Sequence, residues 1–283
     1  MLGDRFSDPE AFEGVGSFWG VQTTLSHIRT RFTLVEALLK LRTRDAVHTA
    51  LTQTMTMLRL SPSDKVGARL LVPSLLLRLD RDQECYNFLS WYNTTDEGRR
   101  YDWDTKGLSP LDSKEADIFE LPKTWTEDDR HSDLGFLVDL ALLKVRLLLD
   151  LRALQALPAL TSGKLPQEIQ DQVCEQLLAP HLDARKAFIE TSDLSLLIED
   201  ITEQLGHIIR KVNQINHFLW SCFPSSESIP SLYPLQSDED AAEAQKVLQY
   251  SYDAWIETPG AIEVMEQLLH KDCFRTKEAI PKV

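Results

Sequence analysis

Cysteine is scarce: Cys85, Cys174, Cys222 and Cys273 are the only four in 283 residues, and no two stand in a CxxC spacing. That pattern argues against a zinc knuckle, a redox dithiol or a dense disulfide framework, and a reducing compartment is the simpler setting. Several catalytic signatures are missing as well. The chain has no glycine-rich phosphate loop followed by Lys-Ser/Thr, no G-x-S-x-G elbow and no Glu-x-x-His, the motif that a carboxylate-bridged di-iron site normally uses twice. Basic charge is also short, with 30 Lys and Arg against 44 Asp and Glu and a formal net charge of -14. The summed field repels phosphate backbones and anionic lipid, so neither nucleic acid nor a membrane surface is an expected partner. The longest apolar stretch, 134–160, is interrupted by Asp139, Lys144, Arg146, Asp150 and Arg152, whereas a bilayer core needs about 20 residues with few or no charges. It reads as a long buried helix, apolar on both sides and therefore central. The opening MLGDRFSDPEAFEG has no basic stretch leading into an apolar run, so the expected location is the cytoplasm or the nucleus.

What the chain does contain is helical periodicity, with no convincing period-2 strand, and the expected class is all-α. WGVQTTLSHIRTRFTLVEALLKL spaces Leu25, Ile28, Phe32, Val35 and Leu39 as one or two helices ending near Thr43. RDAVHTALTQTMTMLRL has Val47, Ala50, Leu51, Met55 and Leu58 on one face and stops at Ser61-Pro62. Ser63 or Asp64 can cap the next helix, in which Pro73 demands a bend or a place in a first turn. QECYNFLSWY forms another short helix after Asp80–Asp82. None of these can hide its apolar stripe alone, so stacked antiparallel hairpins are expected over 18–92.

Residues 93–132 are acidic and turn-rich yet hold Tyr101, Trp103, Phe119 and Trp125. A free linker has little use for two tryptophans, so parts of this long connection should lie on the helical body. A C-terminal helical region is expected over 133–272, packed as one body with the first. Within it Pro166 begins a helix through QEIQDQVCEQLL, 181–193 is a further helical candidate, and 194–219 repeats Leu194, Leu197, Ile201, Leu205, Ile208 and Val212 at near-helical spacing. A proline-rich loop follows Phe223, AAEAQKVLQYSYDAWI and AIEVMEQLLHKD are helices, and the residues from about Phe274 read as a loose tail.

Residues 31–64 resemble one tetratricopeptide unit in layout, with small Ala50 where helices approach closely and Pro62 at the end of the unit. The sequence departs from that family at Leu34, Leu38, Thr54 and Met57. The phrase DKVGARLLVPSLLLRLDRDQECYNFLSWY further resembles fungal proteins that join such repeats to a MYND-type zinc finger. The Cys-rich cluster of the finger is absent, so the resemblance implies a finger-less relative, or a part of such a protein, with no zinc ligands and no cofactor.

That resemblance implies a protein-binding module, and the basic residues of 25–81 suggest how it would act. Arg42, Arg44, Arg78 and Arg81 are candidate clamps for an acidic or C-terminal-carboxylate peptide on the concave face of the early hairpins. The acidic 93–132 segment is a rival occupant of the same groove. The alternative is an α-helical enzyme or ligand-binding protein with a pocket among 134–220, whose convergent polar groups would be Asp139, Glu199, Glu203 and His207. Asp45 with His48, and Glu199 with Glu203 and His207, have helical spacings that could bring oxygen and imidazole together, but too few ligands for a metal to be expected. Cys85 and Cys222 would be nucleophiles only beside a histidine such as His48 or His217, and Cys85 reads as a small buried hydrophobe. Trp220 reads as a packing anchor.

Overall fold

The computed structural model describes residues 22–60, 64, 66–97, 116–121, 125, 133–161, 194–223 and 239–278. The turn-rich start, the helix expected from Pro166, the candidate at 181–193, the proline-rich loop and most of the 93–132 connection lie outside them. Among the described residues there are nine α-helices and no strand: α1 Gln22–Leu39, α2 Arg44–Leu60, α3 Val72–Arg78, α4 Asp82–Glu97, α5 Leu134–Thr161, α6 Leu194–Ile215, α7 Phe218–Cys222, α8 Glu239–Ile256 and α9 Ala261–Glu278. Helix α9 continues to Glu278, into the stretch from Phe274 expected to form a loose tail, and α5 is 28 residues long, nearly eight turns.

The first four helices pack in sequence, α1 on α2, α2 on α3 and α3 on α4. Their turns use one device twice. Past α1 the N–H of Arg42 bonds the Leu39 carbonyl with Arg42 at φ 51°, and past α3 the N–H of Asp80 bonds the Leu77 carbonyl with Asp80 at φ 58°. This left-handed residue is the usual way to close a helix and reverse the chain. The hydroxyl of Thr43 then caps α2 by accepting the Ala46 N–H. Pro73 lies in the first turn of α3, where its missing N–H costs nothing. The preceding residues 68–71 form a 3-10 turn capped by the Asp64 carboxylate, which accepts the N–H groups of Ala68 and Arg69 at 2.8 Å each.

Helix α5 is apolar on every side and touches α3, α4, α6, α8 and α9. Leu137, Leu140, Leu143, Leu147 and Leu151 among others are fully buried. Gln155 near its end bonds Ser195 at the start of α6, and farther along α6 Gln204 meets the same short segment as Lys144, so the two helices run antiparallel. Trp220 packs edge-on to Phe223 and Trp255 and donates its ring N–H to the Ile209 carbonyl, a packing anchor that joins α6, α7 and α8.

Ion pairs fasten the early hairpins to the C-terminal helices. Arg78, its side chain 3% exposed, makes a bidentate pair with Glu257 at 2.7 and 2.8 Å and reaches Asp253 of α8 at 3.6 Å. Arg42 meets the other oxygen of Asp253 at 3.2 Å. Arg146 of α5 donates to Asp82 at 2.9 Å, to Asp80 at 3.0 Å and to the Thr258 hydroxyl at 3.2 Å. Asp80 also accepts from Arg44 at 3.0 Å, so one network runs from α2 through the α3–α4 turn to α5 and the α8–α9 turn. Arg78→Ala removes the cation that Glu257 and Asp253 share and should lower the unfolding free energy by about 2 kcal/mol, between the exposed and the fully buried case, because Arg78 is buried while Glu257 is 40% exposed. Urea titration of the whole chain checks this, and a loss under about 0.5 kcal/mol, the scale of an exposed pair, would contradict it.

Candidate functional site

Helices α2 and α4 flank an open groove of about 360 Å³ whose base includes Leu51, Met55, Leu76 and Phe88. Its rim is polar: Thr52, Thr56 and Arg59 on one side, Arg81, Glu84 and Asn87 on the other. A second hollow of about 440 Å³ shares Arg81 and is bounded by Arg44, Asp45, His48 and Leu79. On α2 the lining residues recur three or four apart from Arg44 to Arg59, which is how one helix face presents a continuous strip. Those fifteen steps at 1.5 Å rise give a strip roughly 22 Å long.

The four arginines expected to clamp a peptide divide between two faces. Arg42 and Arg78 turn toward α8 and are engaged by Asp253 and Glu257. Helix α8 packs against α3, and its Asp253, with Glu257 just past its end, holds the guanidinium groups that a peptide carboxylate was expected to meet. The acids that meet those two arginines are Asp253 of α8 and Glu257; the described part of the 93–132 connection docks elsewhere, and the rest of it lies outside the described residues. Arg81 borders the α2–α4 groove and Arg44 only the adjoining hollow, and each already has a carboxylate, Asp80 for Arg44 and Glu84 for Arg81 at 2.6 Å. Arg59 lines the same groove.

The alternative set is not assembled. His207 and Glu203 approach to 3.7 Å across one turn of α6, but their side chains are 45% and 72% exposed, and Glu199 is exposed as well. Asp139 lies in the core, facing Ser74 of α3 and Ser251 of α8. Asp45 and His48 share the open hollow, and no group of three or more metal-ligating side chains occurs among the described residues. Cys85 is buried beside Asp139 and Asp82, and desolvation followed by those two charges drives its thiol well above the ordinary range. A thiol so shielded is inert. His217 stacks on Phe218 with ring centroids 4.0 Å apart. The side chain of Cys222 lies outside the described residues.

Three charged groups of α5 titrate near neutrality. Burial lifts the Asp139 carboxyl to about 8, against which the Ser251 hydroxyl and the Ser74 N–H pull only partly. Neither Asp139 oxygen has a hydrogen bond of good geometry. Burial, with the nearby Asp82 charge, lifts Asp150 to about 7. Lys144 is lowered to about 7 by burial, although Asp117, Asp200 and Glu120 favour its charge. Sequence reasoning used these charges to reject a membrane span without asking where they go. The signal was there, because a charge inside a helix that is apolar all round must find partners or lose its charge.

The sign for Asp139 follows from its raised value. The folded state holds a proton that the unfolded state releases above its ordinary 3.8, so this contribution is complete below that value and is lost as pH rises toward 8. Asp139→Asn removes the titration, so its stability relative to the wild type should climb between pH 5 and 8, by on the order of 1 kcal/mol per pH unit, and then level. Urea titrations at pH 5, 6.5 and 8 read this directly; parallel profiles for the two proteins would contradict it.

No helix among the described residues is long and apolar enough to cross a membrane. Comparison of the chain with protein-family models, with curated proteins and with solved structures returned no match.

Proposed function

We propose that this protein is a non-enzymatic interaction module that holds a segment of a partner protein in the groove between α2 and α4. The observation that carries the reading is the groove itself, with an apolar base bounded by polar side chains. Partner segments are bound on helical scaffolds in this way, apolar anchors giving affinity and rim groups giving register. The anchoring surface of Leu51 and Met55 is rigid, since α2 and α4 are both packed on α3.

The reading extends to architecture. Two successive helix pairs, α1–α2 and α3–α4, closed by the same left-handed turn at Arg42 and Asp80, support a tetratricopeptide-like stack. On that view the chain is a finger-less relative of the fungal repeat proteins whose sequence it resembles, acting in the cytoplasm or nucleus. The groove lies between the second helices of the two pairs, because α8 covers α3 on the other side. The enzyme alternative needs Asp139, Glu199, Glu203 and His207 around one cavity, and their separation between core and surface lends it no support.

Met55 is half-buried in the groove, so Met55→Glu should leave the fold intact while abolishing complementarity to an apolar anchor. Leu196→Glu, at an exposed leucine on α6, is the control. Native mass spectrometry with metal analysis on protein purified gently from its source should find one polypeptide at fixed stoichiometry with the wild type and Leu196→Glu. That polypeptide should be lost, or bound at least tenfold more weakly, with Met55→Glu. Retention by Met55→Glu, or a stoichiometric metal or small molecule in place of a polypeptide, would overturn the reading.

A further inference from the structure

A second cleft, separate from the α2–α4 groove, already contains a peptide. Residues Ala116–Leu121 lie across α4, α5 and α6, and side chains of those helices bond the main chain. Gln83 donates to the Ala116 carbonyl at 2.8 Å, and Asn87 accepts the Ala116 N–H at 3.1 Å. Lys144 donates to the carbonyls of Ile118 at 2.6 Å and Glu120 at 2.8 Å. Gln204 donates to the Phe119 carbonyl at 2.7 Å, and the Tyr86 hydroxyl to that of Glu120 at 2.6 Å. Within the segment, Asp117 accepts twice, its carbonyl from the Glu120 N–H and its carboxylate from the Phe119 N–H, both at 3.0 Å. Ile118 and Phe119 are buried, and the acids on either side are not: Glu120 is exposed and Asp117 half-buried.

This is recognition of a main chain plus one aliphatic–aromatic pair. It differs from ordinary core packing in what an empty cleft would contain. The Lys144 amine, the Tyr86 hydroxyl and the Gln204 amide would face solvent there, and water can replace each carbonyl they hold. An apolar side chain in place of Lys144 would make the same covering far harder to lift. Closure over Lys144 instead strips an ammonium of water, which is why its amine falls to about 7 when the segment is seated. The Tyr86 ring face, 5.2 Å from the Lys144 nitrogen, and the charges of Asp117, Glu120 and Asp200 offset part of that penalty.

We infer that the α4–α5–α6 cleft is a peptide-recognition site that residues 116–121 fill in cis, and that a segment of another protein with an adjacent aliphatic–aromatic pair between two acidic residues displaces them. The seated segment supplies the chemistry of the occupant. Main-chain contacts ask nothing of the partner's sequence, the buried pair sets its register, and the acids complement the lysine at the base.

The probe is a fluorescein-labelled peptide of residues 114–125, KEADIFELPKTW, tested against the full chain. Ile118→Ser/Phe119→Ser in the protein weakens the cis segment, and the peptide should bind this variant at least tenfold more tightly than the wild type. The same peptide with Ser-Ser at the pair should bind neither protein. Should the variant not fold, a benzophenone in place of the peptide's phenylalanine, at millimolar concentration with wild-type protein, should cross-link to α4, α5 or α6 and be competed by unlabelled peptide. Equal binding of the Ser-Ser peptide, equal affinity of folded variant and wild type, or the absence of cross-links in the cleft would overturn the inference. A concentration-dependent dimer abolished by Ile118→Ser/Phe119→Ser would overturn the assignment to a different partner and give the cleft to a second copy of the chain.

Discussion

Helix α5 carries charged side chains into the interior, and an ion taken out of water costs several kcal/mol unless partners come with it. Most of the tertiary arrangement answers that constraint. Arg146 draws Asp80, Asp82 and Thr258 toward it, which brings the α3–α4 turn and the α8–α9 turn against the same stretch of α5. Lys144 takes carbonyls from residues 118 and 120 and so fixes where the long acidic connection crosses the body. Asp139 finds no strong partner and keeps a proton instead. Around these groups the leucines of α5 exclude water, which makes each polar contact stronger and each omission costlier.

The same logic explains why the early hairpins and the C-terminal helices form one body. Arg78 lies on α3, and its carboxylates come from Asp253 and Glu257, some 180 residues later in the chain. A module that kept Arg42 and Arg78 for an acidic peptide would need to leave them facing solvent, whereas here Asp253 of α8 and Glu257 just beyond it provide the acids. On the proposed reading, recognition falls to surfaces those pairs do not occupy, the α2–α4 groove and the α4–α5–α6 cleft. Helix α4 serves both: Glu84 and Phe88 line the groove, Gln83 and Tyr86 reach the cleft, and Asn87 lies between.

Local features were legible in the sequence because they have local causes. Apolar spacing locates α2 to the residue and α1 and α5 to within about a turn, whereas the stretch read as continuous over 194–219 divides into α6 and α7; Pro73 announces a first turn, and Asp64 a cap. The expectation that an aromatic-bearing connection lies on the body is met by Phe119 and Trp125, both buried. Pairings at long range were not legible. Nothing near Arg78 in sequence names Glu257 as its partner, and the basic cluster of residues 25–81 looked available because the acids that meet it are distant in the chain. Helical spacing joins Glu199, Glu203 and His207, and Asp139 joins them only as a further polar group expected in one pocket; neither argument tells the inward face of one helix from the outward face of another. The side chains that seat residues 116–121 come from three helices, so no contiguous motif could have announced them.

Scanning calorimetry of the intact chain tests most directly whether these buried charges bind the hairpins and the C-terminal helices into one cooperative unit. A single transition whose calorimetric and van't Hoff enthalpies agree, in the wild type at pH 7, is the result predicted. Two separated transitions, with the lower one unaffected by Arg78→Ala, would show that the halves fold independently and would contradict the account.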